Sequence, residues 1–227
     1  MIYQVQFLHE LEIRGILESA MKVYLVRHGE SVGNKNGVFQ PSDSPLSTTG
    51  IKQAKRVAKR LKYHKIDLIY SSTHTRTRQT AEIISRELNV PIEYWRDLAE
   101  IRNPSEIIGK STRNPKIANI KNLLNKNFAK GDWRYSDEET FDELNTRIEK
   151  VVSHLLKRHR GQNVVCVSHG TAIKAIIFKM VFGNELSAKI FSSIRFHFWS
   201  TNTGVSVCEY IEGRGWGVVS WNDTSHL

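Results

Sequence analysis

The sequence predicts an α/β domain with a mostly parallel sheet, on three observations. From Lys22 onward, short apolar runs alternate with segments of helical periodicity, the pattern of strands joined by crossover helices. The 227 residues are enough for one core, or for one domain that carries an insertion. Apolar residues make up 40% and charged residues 25%, near globular averages, and no uninterrupted apolar run reaches the length of a membrane span.

Val23–Val26 reads as the first strand, because four apolar residues with two valines are followed by a polar, glycine-containing stretch that cannot continue it. After that stretch, Arg27 to Pro45, Ser47 or Thr48 offers an N-cap, and Ile51, Ala54, Ala58 and Leu61 share one helical face. Asp67–Tyr70 is a second strand. A basic loop joins it to a helix from Arg76 to Leu88, with Ala81, Ile84 and Leu88 inward, and Ile92–Trp95 is a short extended piece.

Between residues 102 and 133 the periodicity fades among Pro104, Pro115 and several asparagines, which predicts an insertion over the sheet. Phe141, Leu144, Ile148, Val151 and Leu155 then recur at helical spacing and define a helix from Thr140 to Arg158. Asn163–Val167 is an apolar, buried strand, and Ala172–Phe182 begins another helix. Gly204–Ile211 and Trp216–Trp221 form a hairpin across Glu212-Gly213-Arg214-Gly215.

The domain is expected to span residues 21–227. Met1–Ala20 precedes it as an extension, and Glu10, Glu12, Arg14 and Glu18 break any signal-peptide core there, so no export is expected. The choice between Met1 and Met21 as the natural start stays open. Two cysteines, Cys166 and Cys208, are too few for a disulfide framework and fit buried free thiols, which points to a reducing, cytoplasmic setting.

Lysine and arginine exceed aspartate and glutamate by 33 to 23, a formal charge of +10 that favours anionic partners. The basic residues are spread along the chain, as solvated helix faces are, so a small phosphorylated substrate is favoured over nucleic acid and no membrane partner is expected. The oligomeric state is left open, with a homodimer as one option.

Two histidines follow strands directly: His28 in Arg27-His28-Gly29-Glu30 and His169 in Ser168-His169-Gly170. Reactive groups in open α/β sheets gather beyond the carboxyl ends of strands, so this pair counts for more than two scattered histidines. The glycines permit unusual backbone angles and close approach of an anion. Arg27 adds a fork suited to phosphate oxygens, and Arg76 or Arg78 could supply a second. Ser168 lacks the Gly-x-Ser-x-Gly elbow of a serine hydrolase, and the histidines and cysteines form no metal-binding spacing, so no metal and no other cofactor is expected.

The run Val23-Tyr24-Leu25-Val26-Arg27-His28-Gly29-Glu30-Ser31 with Asn34 resembles the opening signature of the histidine phosphatase superfamily, in its phosphoglycerate mutase-like branch. Ser71-Ser72, Arg76, Gln79-Thr80-Ala81, Leu98-Ala99-Glu100 and Val167-Ser168-His169-Gly170 extend the resemblance in order over most of residues 21–227. It implies a three-layer α/β/α sandwich, and it implies that His28 is the phosphorylated nucleophile and Glu100 the proton carrier. Arg27, Asn34, Arg76 and His169 would bind the phosphoryl group. Arg78 falls outside the pattern, and Glu30, the rival carboxylate, is expected to brace the loop.

Past Glu100 the chain reads Ile101-Arg102-Asn103-Pro104, without the Tyr-Gly and Gly-Leu-Asn-Lys-like stretch usual in glycolytic mutases, so a phosphatase is favoured over a mutase. Arg102, Lys110, Arg113 and Lys116 are available there for further anionic groups. The alternative of another class, an inactive phospho-ligand or nucleic-acid binding module, is disfavoured because His28 and Glu100 are both present.

Overall fold

The computed structural model describes residues 20–227, so the reading of the N-terminal extension lies, Ala20 aside, outside the described residues. Six strands form one sheet in the order β3-β2-β4-β1-β5-β6: β1 Met21–Arg27, β2 Leu68–Ser71, β3 Ile92–Tyr94, β4 Asn163–Ser168, β5 Val205–Ile211 and β6 Gly215–Asp223. The first four strands are mutually parallel, while β5 runs antiparallel to β1 and pairs antiparallel with β6 as the hairpin.

Side chains alternate across the strands, and the two faces bury different sets. Val23, Leu25, Val164 and Cys166 pack with α5 (Phe141–Arg158) and α6 (Gly170–Phe182), whereas Tyr24, Val26, Val165 and Val167 pack with α2 (Thr48–Leu61) and α3 (Thr75–Leu88). Helices on both faces make the three-layer α/β/α sandwich. In α5, Phe141, Leu144, Ile148, Val151 and Leu155 are all buried, and Thr140 caps the helix reciprocally with Glu143. Cys166 and Cys208 are buried free thiols.

Three helices went unread. The polar stretch after β1 holds α1 (Val32–Asn36), capped by Ser31 and closed by Gly37 in the left-handed region. Residues 102–133, where no clear period is legible, contain α4 (Pro115–Asn127), capped by the Asn114 side chain and started by Pro115. Of its thirteen residues only Ile117, Leu124 and Asn127 are buried, so asparagines and lysines dilute the apolar period. The third is α7 (Ala188–Ile194), in which Phe191 alone is buried.

β1 and β4 are neighbours at the middle of the sheet, and their last residues, Arg27 and Ser168, lie in register. His28 and His169 therefore emerge side by side. The turn after β1 is pressed against the start of α2: a Cβ on Gly29 would lie 2.5 Å from the Gly50 carbonyl oxygen, and one on Gly50 would lie 2.0 Å from that of Glu30. Neither glycine has a positive φ, so close approach of two backbones, not an unusual angle, demands them. Gly50→Ala is expected to force these segments apart at a cost of about 1–3 kcal/mol. Thermal unfolding should register it, at about 2–4 °C per kcal/mol for a chain of this size.

Candidate active site

A cavity of about 1100 Å³ opens at the carboxyl end of the parallel strands, lined by Arg27, His28, His74, Arg76 and Glu100 among others. His28 is fully buried beneath it. Its Nδ1 lies 2.7 Å from the carbonyl oxygen of Gly29, which can only accept, so Nδ1 carries the proton and Nε2 is left as the unprotonated acceptor. The Gly29 N–H donates to Thr80 Oγ1, which holds that carbonyl in place.

Arg76, near the start of α3, connects the basic and imidazole groups. Its Nε donates to His28 Nε2 at 3.3 Å, its Nη2 to Nδ1 of both His169 and His74 at 3.2 Å, and its Nη1 to the Pro41 carbonyl. The His28 and His169 rings meet edge to face with centroids 5.2 Å apart. His169 is fully buried and lies behind the cavity wall, with Nε2 2.9 Å from Ser72 Oγ. Arg27 bonds the Ser200 carbonyl through Nη1 and leaves its buried Nε without a partner.

Burial, reinforced by Arg76 and Arg27, pushes His28 well below the ordinary histidine value, and burial with Arg76 does the same to His169. His74 falls to about 4 through burial and Arg76. Burial lowers Arg76 to about 10, with Glu100 opposing, so the guanidinium stays charged at neutral pH beside three uncharged imidazoles.

Glu100 sits at the N-terminus of α6. Oε1 accepts the N–H groups of Ile101 and Ala172, and Oε2 that of Thr171, each at 3.0–3.1 Å. A Cβ added to Gly170 would lie 3.9 Å from Glu100 Oε2 and 3.7 Å from Arg27 Nε, so this glycine sits between the two groups. From α5, Arg147 grips Glu139 with Nε and Nη2 at 2.8 Å and donates Nη1 to the carbonyls of Asp97 and Ala99, bracing the chain that carries Glu100.

Of the sequence-predicted residues, Arg27, His28, Arg76 and Glu100 line one cavity, and His169 stands directly behind Arg76. Asn34 does not line it: its Oδ1 caps α1 through Ser31 and lies 3.4 Å from Asn202 Nδ2, which also bonds the His28 carbonyl. Arg78 stacks on Tyr94 away from the site, and Glu30 accepts from Ser47 Oγ. Arg102 lines the cavity, but Lys110, Arg113 and Lys116 do not. His74, Lys121 and Arg147 were missed. Arg147 stands three residues after Leu144 on the α5 pattern and could have been marked as a cation on its buried flank. His74 and Lys121 carry no local signal.

Among the described residues, no group of three or more His, Cys, Asp and Glu could hold a metal ion, and no helix is long and apolar enough to cross a membrane. The model of the histidine phosphatase superfamily (branch 1) matches residues 23–224. A curated relative from Escherichia coli O1:K1 / APEC, named "Probable phosphoglycerate mutase GpmB", is 32% identical over 225 residues, covering 91% of this chain and 95% of the relative. Among solved structures, a mutant phosphoserine phosphatase from Entamoeba histolytica in complex with phosphoserine is 27% identical, covers 91% of this chain and 99% of its own, and superposes with a TM-score of 0.73. YhfR from Bacillus stearothermophilus is also 27% identical, with a TM-score of 0.75 over 91% and 98% of the two chains.

Proposed function

Because the chain belongs to the histidine phosphatase superfamily (branch 1), we propose that it is a metal-independent phosphomonoester phosphatase that works through a phosphohistidine on His28. The observation that carries this reading is the His28 ring: uncharged, held by the Gly29 carbonyl, with its unprotonated Nε2 accepting from Arg76 at the wall of a cavity that Arg27 also lines.

In the first step His28 Nε2 attacks phosphorus, the ester P–O bond breaks, and the leaving alkoxide takes a proton from Glu100. In the second, water attacks the phosphohistidine, loses its proton to Glu100, and frees His28 with inorganic phosphate. Arg27 and Arg76 carry the charge of the equatorial oxygens, the main demand that phosphoryl transfer makes on a protein. His169 holds Arg76 and, with Ser72 able to serve either ring tautomer, meets the phosphoryl group when it displaces that contact. Asn34, which lies outside the cavity, acts at one remove: it contacts Asn202, whose Nδ2 also donates to the His28 carbonyl.

The mutase reading draws support from the names of the curated relatives. The phosphatase reading draws support from the phosphoserine phosphatase and from the sequence after Glu100. Incubation with 4-nitrophenyl phosphate should release phosphate without added metal, at a rate that survives chelator. Loss of turnover on chelation, restored by a divalent metal, would reject the proposal. With 3-phosphoglycerate, isomerisation faster than phosphate release would favour the mutase.

A further inference from the structure

The loop between α7 and β5 meets the backbone of both Arg27 and His28. The Ser200 carbonyl accepts from Arg27 Nη1, and the Gly204 carbonyl accepts the Arg27 N–H at 3.3 Å. The Thr203 N–H is shared between the carbonyls of Arg27, at 2.9 Å, and His28, at 3.3 Å. Asn202 Nδ2 donates to the same His28 carbonyl at 2.9 Å.

Thr203 makes these contacts in a conformation that its side chain disfavours. Among the described residues three non-glycines have a positive φ, and Thr203, at +58°, is the one with a branched Cβ. The other two are asparagines, which visit this region more readily. Such strain persists where surrounding contacts over-determine the backbone. The hydroxyl accounts for a threonine here. Fully buried, Oγ1 donates to the Asn202 carbonyl at 2.7 Å, which leaves it to accept from His226 Nε2 at 3.3 Å. His226 follows β6, and the end of that strand is held on α2, where Arg60 pairs with Asp223. A glycine would remove the strain and with it this link.

Two steps lead from the turn to the ring of His28. The His28–Gly29 peptide is fixed at both edges, its carbonyl by Thr203 and Asn202 and its N–H by Thr80 Oγ1 at 3.1 Å. The tilt of that peptide directs the next carbonyl, and Gly29 O is the acceptor that holds Nδ1 and leaves Nε2 unprotonated. Resting on the phosphatase reading, we propose that Thr203 is a positioning residue of the phosphoryl transfer. Its strained turn, anchored through the hydroxyl by His226, fixes the ring of the nucleophile and the backbone of Arg27.

The test uses Thr203→Val, which keeps the branched shape and drops the hydroxyl, and Thr203→Ser, which keeps the hydroxyl. At saturating 4-nitrophenyl phosphate, phosphohistidine formation by Thr203→Val should slow about tenfold to a hundredfold, as small misplacements of a reacting group do, with KM within about threefold of wild type. Thr203→Ser should restore most of that rate. His226→Ala, at a half-buried position, should slow the same step and covers the case of a Thr203→Val protein that does not fold. In NMR the His28 Nδ1–H should give a downfield, slowly exchanging resonance in the wild type and in Thr203→Ser, and should broaden or vanish in Thr203→Val. A residue that only stabilised the fold would lower the unfolding midpoint and leave rate and resonance alone. Wild-type rate and resonance in a folded Thr203→Val protein, or in His226→Ala, would overturn the proposal. The resonance needs no turnover, so a wild type that forms no phosphoenzyme would reject the phosphatase reading and leave this test standing.

Discussion

His28→Ala abolishes phosphate release from 4-nitrophenyl phosphate, with a loss on the order of 10⁴-fold or more, because the proposed nucleophile, the unprotonated Nε2 at the cavity wall beside Arg76, is removed. The fold should survive, since the ring's own hydrogen bonds are one to Gly29 and one from Arg76. Circular dichroism and the unfolding midpoint check this, and rapid quench with labelled substrate should show an acid-labile phosphoenzyme in the wild type but not in the variant. Near-wild-type turnover would mean that the nucleophile lies elsewhere.

The electrostatics of His28 add a pH signature to the same experiment. Its pKa in the folded state is depressed, so below the ordinary value near 6.5 the unfolded chain binds a proton that the folded chain refuses. Stability is therefore full above that value and is lost as pH falls toward the folded pKa. His169 adds to this slope and so does His74, down to about 4. Removing His28 should flatten the acid limb of the stability curve. In imidazole NMR of the free wild-type protein, His28 should show no titration near 6.5.

Much of this site could be read because His28, Arg27 and Arg76 stand next to strand ends or helix starts. Val23–Val26 ends at Arg27, and the register that sets Arg27 against Ser168 makes neighbours of histidines 141 positions apart, a consequence of β1 and β4 being paired. What could not be read depends on packing rather than on pattern. The α4 helix buries so little of itself that its period disappears, and with it went the placement of Lys121 inside a cavity. His74 occupies a helix N-cap without making a capping bond, so nothing near it in the chain marks it out. The sequence suggests unusual φ or close approach of an anion at Gly29, whereas the structure sets its demand 21 residues away in the Gly50 carbonyl.

Glu100→Gln separates the two proton transfers assigned to this carboxylate. An alkyl phosphate needs a proton on its leaving oxygen, so its turnover should fall by about 10² to 10⁴-fold. Nitrophenolate leaves without one. For 4-nitrophenyl phosphate the first step should therefore stay comparatively fast, while water attack on the phosphohistidine still lacks its base, and stopped flow should show a burst of nitrophenol followed by slow turnover. The substitution has a structural cost as well: the amide NH₂ of glutamine would face the N–H of Thr171 or Ala172, losing a hydrogen bond worth about 1 kcal/mol. That cost lowers the unfolding midpoint but cannot produce a burst, nor can it distinguish alkyl from aryl leaving groups. Equal losses for both esters and no burst would assign Glu100 to holding the start of α6, and would leave the proton to another group on the cavity wall, with His74 the first to replace.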